Sequence, residues 1–257
     1  MAAALLETAG LTKRFGSVAA LFEVSVRLDA GETVGVIGPN GAGKTTLFDC
    51  ILGVLQPDAG SVWFEGTRID RLPVFRRSLL GIGRTFQRLE LFSGMTPREH
   101  LLVTERARGA QGALWKDVLG MGLPTPDEKR QAADLLDLVG LTDVADAPVE
   151  SLSLGRSRLV ELARALVGPP KLLLLDEPSS GLDDAERATL VSVLGRLGRT
   201  RDVAVVVVEH DLDLVSTLVE RLVVLDVGRV IADGPVEAVL TDAAVRRAYL
   251  GVPTVGR

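Results

Sequence analysis

The sequence predicts an α/β fold with a largely parallel sheet, and three patterns support this prediction. Aliphatic segments alternate with helical segments through the last third of the 257-residue chain, which is typical of a parallel sheet covered on both faces. A glycine-rich loop joins a buried strand to an apolar helix, and a leucine-rich segment ends in two carboxylates. Parallel sheets bind ligands at the carboxyl ends of their strands, so we expect a site at that edge.

The first third of the chain is predicted to be rich in β-structure around one helix. Strands are expected at residues 6–15, 24–28, 33–37 and 82–86, a hairpin over DAGSVWFEG, and a helix at residues 45–55. Alternating polar and apolar residues in the outer segments indicate exposed antiparallel strands. An antiparallel β layer is therefore expected beside the glycine-rich loop.

The middle of the chain, from about residue 89 to 166, has a helical pattern. TPRE at 96–99 and TPDE at 125–128 each place a capping threonine, a first-turn proline and a glutamate that closes a capping box. Between them lies a glycine-rich segment in which we expect a short helix near Trp115, with the indole packing against the protein. These signals predict helices beginning near residues 97 and 126.

The last third is predicted to alternate between strands and helices. Strands are expected at residues 171–175, 203–208 and 222–225, helices at 184–197 and 212–219, a turn at 227–229, and two short helices near the end, the last including residues 245–250. This order indicates successive parallel strands with helical crossovers.

The glycine-rich loop has the sequence GPNGAGKTT and satisfies the pattern G-x-x-x-x-G-K-[ST] between a predicted strand and a predicted helix. Its glycines allow consecutive backbone N–H groups to face phosphate oxygens, and the helix N-terminus adds positive potential. The lysine is expected to reach the β and γ phosphates, and the first threonine to bind Mg²⁺. The predicted phosphate-binding residues are Gly38, Pro39, Asn40, Gly41, Ala42, Gly43, Lys44, Thr45 and Thr46.

A second candidate site lies at the end of the leucine-rich strand. Asp176 and Glu177 follow four leucines and precede a proline. We expect Asp176 to hold Mg²⁺ through water and Glu177 to act as the general base on the water that attacks the γ phosphate. The two motifs together predict an ATPase whose cofactors are ATP and Mg²⁺.

Composition excludes several other classes of protein. The net charge of −5 argues against broad binding to nucleic acid, and the single cysteine, Cys50, fits a reducing compartment. The start of the chain does not have the pattern of a signal peptide, and the longest apolar runs are far below the roughly 20 residues of a membrane-spanning helix. We expect a cytoplasmic protein whose membrane role is peripheral.

The motifs and their order resemble the nucleotide-binding subunits of ATP-binding-cassette (ABC) transporters over essentially the whole chain. Gln87 in RTFQ resembles the Q-loop glutamine, and the resemblance implies a Mg²⁺ contact and a link to a helical subdomain. His210 in VEHD resembles the switch histidine, and Phe15 takes the position of an aromatic residue that stacks on adenine. The resemblance also implies one nucleotide-binding domain, with its ATP-binding core at about residues 1–87 and 167–257 and its helical subdomain at about 88–166.

The segment LSLGR is similar to the family signature LSGGQ, with Leu154 for the first glycine and Arg156 for the glutamine. Ser153 and Gly155 are kept, and Asp183 in SGLD resembles the D-loop aspartate. In this family the signature faces the phosphate loop of a second subunit. The resemblance therefore implies a homodimer or heterodimer that encloses two ATP molecules and opens after hydrolysis.

Within the family, the segment RTFQRLELFSGMTPREHLLV, the insertion that follows it and the ending VRRAYLG look like importers of branched-chain amino acids. This resemblance implies transmembrane permeases, a solute-binding protein acting indirectly, and a position on the inner face of the membrane. ATPases for urea, amides or lipids are the alternatives.

A soluble ABC ATPase acting on DNA or ribosomes is disfavoured because heptad runs and a second phosphate loop are absent from the sequence. A regulator without turnover is disfavoured because Glu177 and His210 are both present.

Overall fold

The fold is described by a computed structural model over residues 4–85, 90–109, 124–168, 170–200 and 203–250. The strands in these ranges are β1 (Leu6–Phe15), β2 (Val18–Leu28), β3 (Thr33–Ile37), β4 (Ala59–Phe64), β5 (Thr67–Arg68), β6 (Ile82–Arg84), β7 (Leu172–Asp176), β8 (Ala204–Val208), β9 (Arg221–Asp226) and β10 (Arg229–Pro235). The helices are α1 (Lys44–Leu52), α2 (Val74–Leu79), α3 (Pro97–Gly109), α4 (Pro126–Leu138), α5 (Leu154–Leu166), α6 (Asp184–Thr200), α7 (Leu212–Leu218), α8 (Val236–Thr241) and α9 (Ala243–Leu250). Short 3-10 turns cover Thr142–Val144 and Val149–Ser151.

The larger sheet has six strands in the order β10-β9-β3-β8-β7-β6. All neighbours pair in parallel except β10, which is antiparallel to β9 at one edge. Every residue of β7 and β8 is buried, as expected for aliphatic strands covered on both faces. The predicted mixed, mainly parallel sheet is confirmed, and the loops that follow β3, β7 and β8 meet at its carboxyl edge.

The smaller sheet has four strands in the order β2-β1-β4-β5, all antiparallel. It packs against the larger sheet and α1 through one hydrophobic cluster that includes Leu11, Phe48 and Leu174. The turn after β9 also contacts this layer, because the Phe22 N–H donates to the Gly228 carbonyl at 2.8 Å. The predicted antiparallel layer is confirmed.

Helices α3, α4 and α5 pack on the opposite side of β7. Leu101, Leu136 and Val160 share a hydrophobic cluster with Leu173 and Leu175 of that strand. Both predicted capping boxes are present. The Thr96 N–H donates to Glu99 Oε2 at 2.8 Å, and the Thr125 N–H donates to Glu128 Oε2 at 2.6 Å. The division of the chain into a core and a helical subdomain stays a prediction.

Several element boundaries differ from the prediction. Strand β2 begins at Val18, six residues before its predicted start, and α6 continues to Thr200, three residues beyond its predicted end. Helix α1 ends at Leu52, three residues early, because Gly53 adopts a φ of 83° and its N–H donates to the Asp49 carbonyl at 3.0 Å. Strand β6 ends at Arg84, and the remainder of that predicted strand reaches residues outside the described ranges. The helix expected near Trp115 also lies outside them. Among the described residues, no helix is both long and apolar enough to cross a membrane.

Candidate nucleotide site

The phosphate loop connects β3 to α1 and is held against two neighbouring strands. Gly38 and Gly43 have φ values of 155° and 106°, which side chains rarely allow. A Cβ atom would lie 2.1 Å from the Leu225 carbonyl oxygen at Gly38, and 2.5 Å from the Ala20 carbonyl oxygen at Gly43. Gly41 also has a positive φ, 81°, but faces open space. The loop therefore needs glycine both for its conformation and for its close contacts.

Lys44 begins α1 and its side chain is buried inside the loop. Its ammonium group donates hydrogen bonds to the carbonyls of Gly38 at 2.7 Å and Pro39 at 3.0 Å. Burial lowers the pKa of the Lys44 ammonium group, and the carboxylates of Glu177 and Asp176 act in the opposite direction. The cation, the backbone N–H groups of the helix start and the exposed Thr45 thus lie at one end of α1.

Asp176 ends β7 and is 1% exposed. Its Oδ2 atom is buried and has no hydrogen-bond partner within the described part of the chain. Burial raises the pKa of the Asp176 carboxyl, and the nearby Glu177 carboxylate raises it further. A buried carboxylate oxygen without a donor suits a hydrated cation.

Mg²⁺ binding at this position would depend on oxygen atoms from outside the protein. Among the described residues, no group of three or more His, Cys, Asp or Glu side chains is placed to hold a metal. Mg²⁺ is usually bound by one or two carboxylates together with water and phosphate oxygens. Asp176 beside a phosphate loop fits that type of site.

Glu177 lies directly after Asp176 and contacts His210. Glu177 Oε1 is 2.7 Å from His210 Nε2. An ionised carboxylate can only accept hydrogen bonds, so this contact requires the imidazole proton to be on Nε2. The Glu177 backbone has a φ of 48°, an uncommon left-handed conformation, and its N–H donates to the Val208 carbonyl at 2.9 Å. The ends of β7 and β8 thereby bring the predicted base and the predicted switch histidine together.

Glu209 is a buried carboxylate that the sequence analysis did not select. It is 3% exposed, and its two oxygens accept the N–H groups of Ser179 at 2.9 Å and His210 at 3.3 Å. It therefore ties the loop after β7 to the loop after β8. The available signal was its position beside His210 at the end of a buried strand, but sequence alone does not show which backbone groups a carboxylate will accept.

Ser153, Gly155 and Asp183 are brought together around Glu186, another residue that the sequence analysis did not select. Ser153 caps α5, accepts the Arg156 N–H at 3.0 Å and donates to Glu186 Oε1 at 2.7 Å. Glu186 Oε2 accepts the Asp183 N–H at 3.0 Å. This group lies at the starts of α5 and α6, whereas the phosphate loop lies between β3 and α1.

Two further predicted site residues have different outcomes. Phe15 ends β1 with 52% of its surface exposed, and the Lys13 ammonium nitrogen lies 5.8 Å from its ring centroid. An exposed ring at the end of a strand is free to stack on a base, and that role stays a prediction. Gln87 lies outside the described residues.

Comparison with known protein families gives two matches. The family profile described as "ABC transporter" matches residues 21–180. A second profile, described as "Branched-chain amino acid ATP-binding cassette transporter", matches residues 229–254. The first match includes the phosphate loop, the signature turn, Asp176 at the end of β7 and Glu177 after it, and the second covers β10, α8 and α9.

Several known proteins are similar to this chain over nearly their full length. The high-affinity branched-chain amino acid transport ATP-binding protein BraF of Pseudomonas aeruginosa is 36% identical, covering 98% of this chain and 99% of its own. The ADP conformation of MJ1267, an ATP-binding cassette of an ABC transporter, gives a TM-score of 0.82 at 31% identity, covering 98% of this chain and 100% of that one. A dimeric post-hydrolysis state of the cassette MJ0796, bound to ADP and Pi, gives a TM-score of 0.78 at 25% identity. The match covers 90% of this chain and 98% of that one. The predicted fold and family resemblance are confirmed.

Proposed function

The chain belongs to the ABC transporter family, and from that membership we propose that it hydrolyses ATP to power import of branched-chain or other hydrophobic amino acids. The observation that carries the hydrolytic part is the 2.7 Å contact between Glu177 and His210 at the edge of the sheet that also holds the phosphate loop. The solute class is supported by the C-terminal family match and by the similarity to BraF.

In this proposal the phosphate loop binds the β and γ phosphates of ATP, and Phe15 stacks on the adenine. Lys44 supplies the positive charge, and the helix N-terminus supplies oriented N–H groups. The rigid contacts of Gly38 and Gly43 with neighbouring backbone keep these groups in place before nucleotide binds. The loop is therefore preorganised for phosphate.

Glu177 is the proposed general base and His210 positions it. The histidine donates to one carboxylate oxygen and leaves the other available for a water molecule. Thr45, Gln87 and Asp176 are the residues that would hold Mg²⁺, which neutralises charge on the phosphate oxygens when bound. Glu209 fixes the backbone of the loop that carries His210, so the pair keeps its geometry.

Two copies of the phosphate loop and two signature turns would form the complete sites. Ser153 and Gly155 lie at the N-terminus of α5, where unpaired N–H groups favour an anion. We assign these residues and Asp183 to the ATP of a second ATPase subunit, which is identical or related. The dimer of MJ0796 supports this assignment at the level of the family.

The permeases would dock on the helical segment at about residues 88–150, on the side where α3 faces α2 and β6. A groove of about 390 Å³ opens between α2 and α3. Its α2 wall contains the exposed side chains of Val74, Phe75 and Leu79, and its floor contains Arg84 and Glu161. An apolar wall above charged groups suits a loop of a membrane protein, which would place this chain at the inner face of the membrane.

Reconstitution in proteoliposomes tests the proposal. The chain is combined with its permeases, its solute-binding protein and its paired ATPase, and uptake of labelled leucine, urea, an amide and a lipid is measured with and without Mg·ATP. We expect ATP-dependent uptake of leucine that a Glu177→Gln subunit abolishes. ATP-dependent uptake of the other solutes without leucine would overturn the solute class, and absence of ATP-dependent uptake of all four would overturn the importer assignment.

A further inference from the structure

Glu186 links the signature turn to the loop that carries Asp183. Its backbone N–H donates to Asp183 Oδ1 at 2.8 Å, and its Oε2 accepts the Asp183 N–H at 3.0 Å, which together form a capping box at the start of α6. Its Oε1 also accepts the Ser153 hydroxyl at 2.7 Å. That bond is additional to the capping box and joins helices α5 and α6.

The two segments also interlock sterically. A Cβ atom on Gly155 would lie 1.7 Å from Glu186 Oε2, so the carboxylate packs directly on the signature glycine. In the other direction, the Leu154 side chain comes within 2.5 Å of where a Cβ atom on Gly181 would be. Each segment thus contributes a glycine that receives a side chain of the other. The signature turn and the Asp183 loop are one packed unit.

The single proton of the Ser153 hydroxyl is already donated within its own subunit. Its oxygen accepts the Arg156 N–H at 3.0 Å, and its single proton is donated to Glu186. A serine hydroxyl has only one proton to donate. For Ser153 to donate to the γ phosphate of a partner's ATP, it must first release the Glu186 carboxylate. The same carboxylate is an anion beside Gly155, where it opposes an approaching phosphate.

We propose that Glu186 is a positioning residue that sets the ATP concentration at which the dimer closes, by competing with the partner's γ phosphate for the Ser153 hydroxyl. The inference rests on the proposed function, because it requires the signature turn to complete a partner's site. Closure in this scheme transfers the Ser153 hydrogen bond from Glu186 to phosphate. Glu186 keeps its bond to the Asp183 N–H, so the start of α6 remains capped throughout.

The test is nucleotide-dependent association of Glu186→Gln, measured by analytical ultracentrifugation with Mg·AMPPNP. Glutamine serves equally well at this position of a capping box, so the substitution changes the charge and keeps the cap. With its single oxygen capping the Asp183 N–H, the glutamine turns its NH2 group toward Ser153 and cannot accept the hydroxyl proton, so we expect half-maximal association at about fivefold lower nucleotide concentration. Binding of a fluorescent nucleotide to the dilute chain should not change, because Glu186 contacts the signature turn and not the phosphate loop.

Two controls separate this effect from a loss of helix capping. Glu128→Gln changes the same kind of capping box at Thr125, and we expect no shift in association. Ser153→Ala removes the hydroxyl, and in that background the shift caused by Glu186→Gln should shrink to the part that comes from removing the negative charge beside Gly155. An unshifted Glu186→Gln, an equal shift in Glu128→Gln or a full shift in the Ser153→Ala background would overturn the inference. Failure of the wild-type chain to associate with nucleotide, alone or with its paired ATPase, would overturn the proposed function instead.

Discussion

The phosphate loop and the signature turn bind the same phosphates in the proposed dimer, yet they are built differently. The phosphate loop is held by backbone, since Gly38 and Gly43 lie against carbonyl oxygens of neighbouring strands. The signature turn is held by side chains, since Leu154 and Glu186 fill the spaces beside two glycines. Backbone contacts fix one conformation, whereas side-chain contacts can be exchanged. We infer that the phosphate loop is a rigid platform for nucleotide and that the signature turn is an adjustable surface toward the partner subunit.

The largest effect on activity is expected at Glu177, beside the phosphate loop. Glu177→Gln removes the base and keeps the shape of the side chain, so hydrolysis should fall by a factor of about 100 or more. Nucleotide binding should persist, and the closed dimer should accumulate. The measurement is steady-state ATPase activity beside binding of a fluorescent nucleotide. Normal turnover would place the base elsewhere.

Rigidity of the platform is tested by alanine substitutions at two glycines of the same loop. Gly38→Ala places a Cβ atom 2.1 Å from the Leu225 carbonyl oxygen, and we expect a loss of about 3 kcal/mol or more in the free energy of unfolding, with loss of ATP binding. Gly41→Ala is the matched control, since it meets open space and should cost about 1 to 2 kcal/mol from its backbone conformation alone. Equal losses in urea unfolding would contradict the difference in packing.

The buried Asp176 should lower stability at neutral pH. Because burial raises the pKa of this carboxyl, the folded state retains its proton to higher pH than the unfolded state does. The unfolding free energy therefore falls as pH rises from the unfolded pKa, about 4, through the folded pKa, and the loss is complete above it.

Asp176→Asn removes this titration and should raise the unfolding free energy at pH 7 by an amount on the order of 1 kcal/mol. The gain should disappear well below about pH 4, where the wild-type carboxyl is neutral in both the folded and the unfolded state. Urea unfolding without Mg²⁺ at the two pH values measures it. If the gain in unfolding free energy grew as the pH fell, the pKa of Asp176 would be lowered by folding and not raised.

The smallest effect is expected at the adjustable surface. Leu154→Gly restores the more usual glycine of the signature and removes the contact with Gly181. Because Leu154 is 52% exposed, we expect only about a threefold decrease in kcat, or roughly 0.6 kcal/mol, with unchanged binding of nucleotide to the dilute chain. A loss as large as that of Glu177→Gln would show that this surface is as rigid as the phosphate loop.

Most of the fold followed from sequence because its signals are local. Alternation of aliphatic strands with helices predicted the main sheet, and the TPRE and TPDE segments predicted the starts of α3 and α4. The apolar pattern continues past Leu52 and predicted a longer helix, but α1 ends there because Gly53 adopts a left-handed conformation that caps it.

The candidate site was predictable where a motif fixes the backbone and less so where side chains meet across the chain. The segment around Lys44 and the two carboxylates at the end of β7 could be selected from short sequence patterns. Glu209 and Glu186 could not, because their roles depend on which distant N–H or O–H groups the fold brings to their oxygens. The division into a core and a helical subdomain and the individual site roles stay predictions.

The central claim is that each phosphate loop is completed by the signature turn of another subunit, and the dilution dependence of ATPase activity tests it most directly. Without permeases, activity per wild-type chain should fall on dilution and recover on adding excess Lys44→Ala chains, which lack a working loop but supply a signature turn. A chain carrying both Lys44→Ala and Ser153→Ala should restore much less. The account would be contradicted if activity per chain stayed constant on dilution and did not change when either variant chain was added.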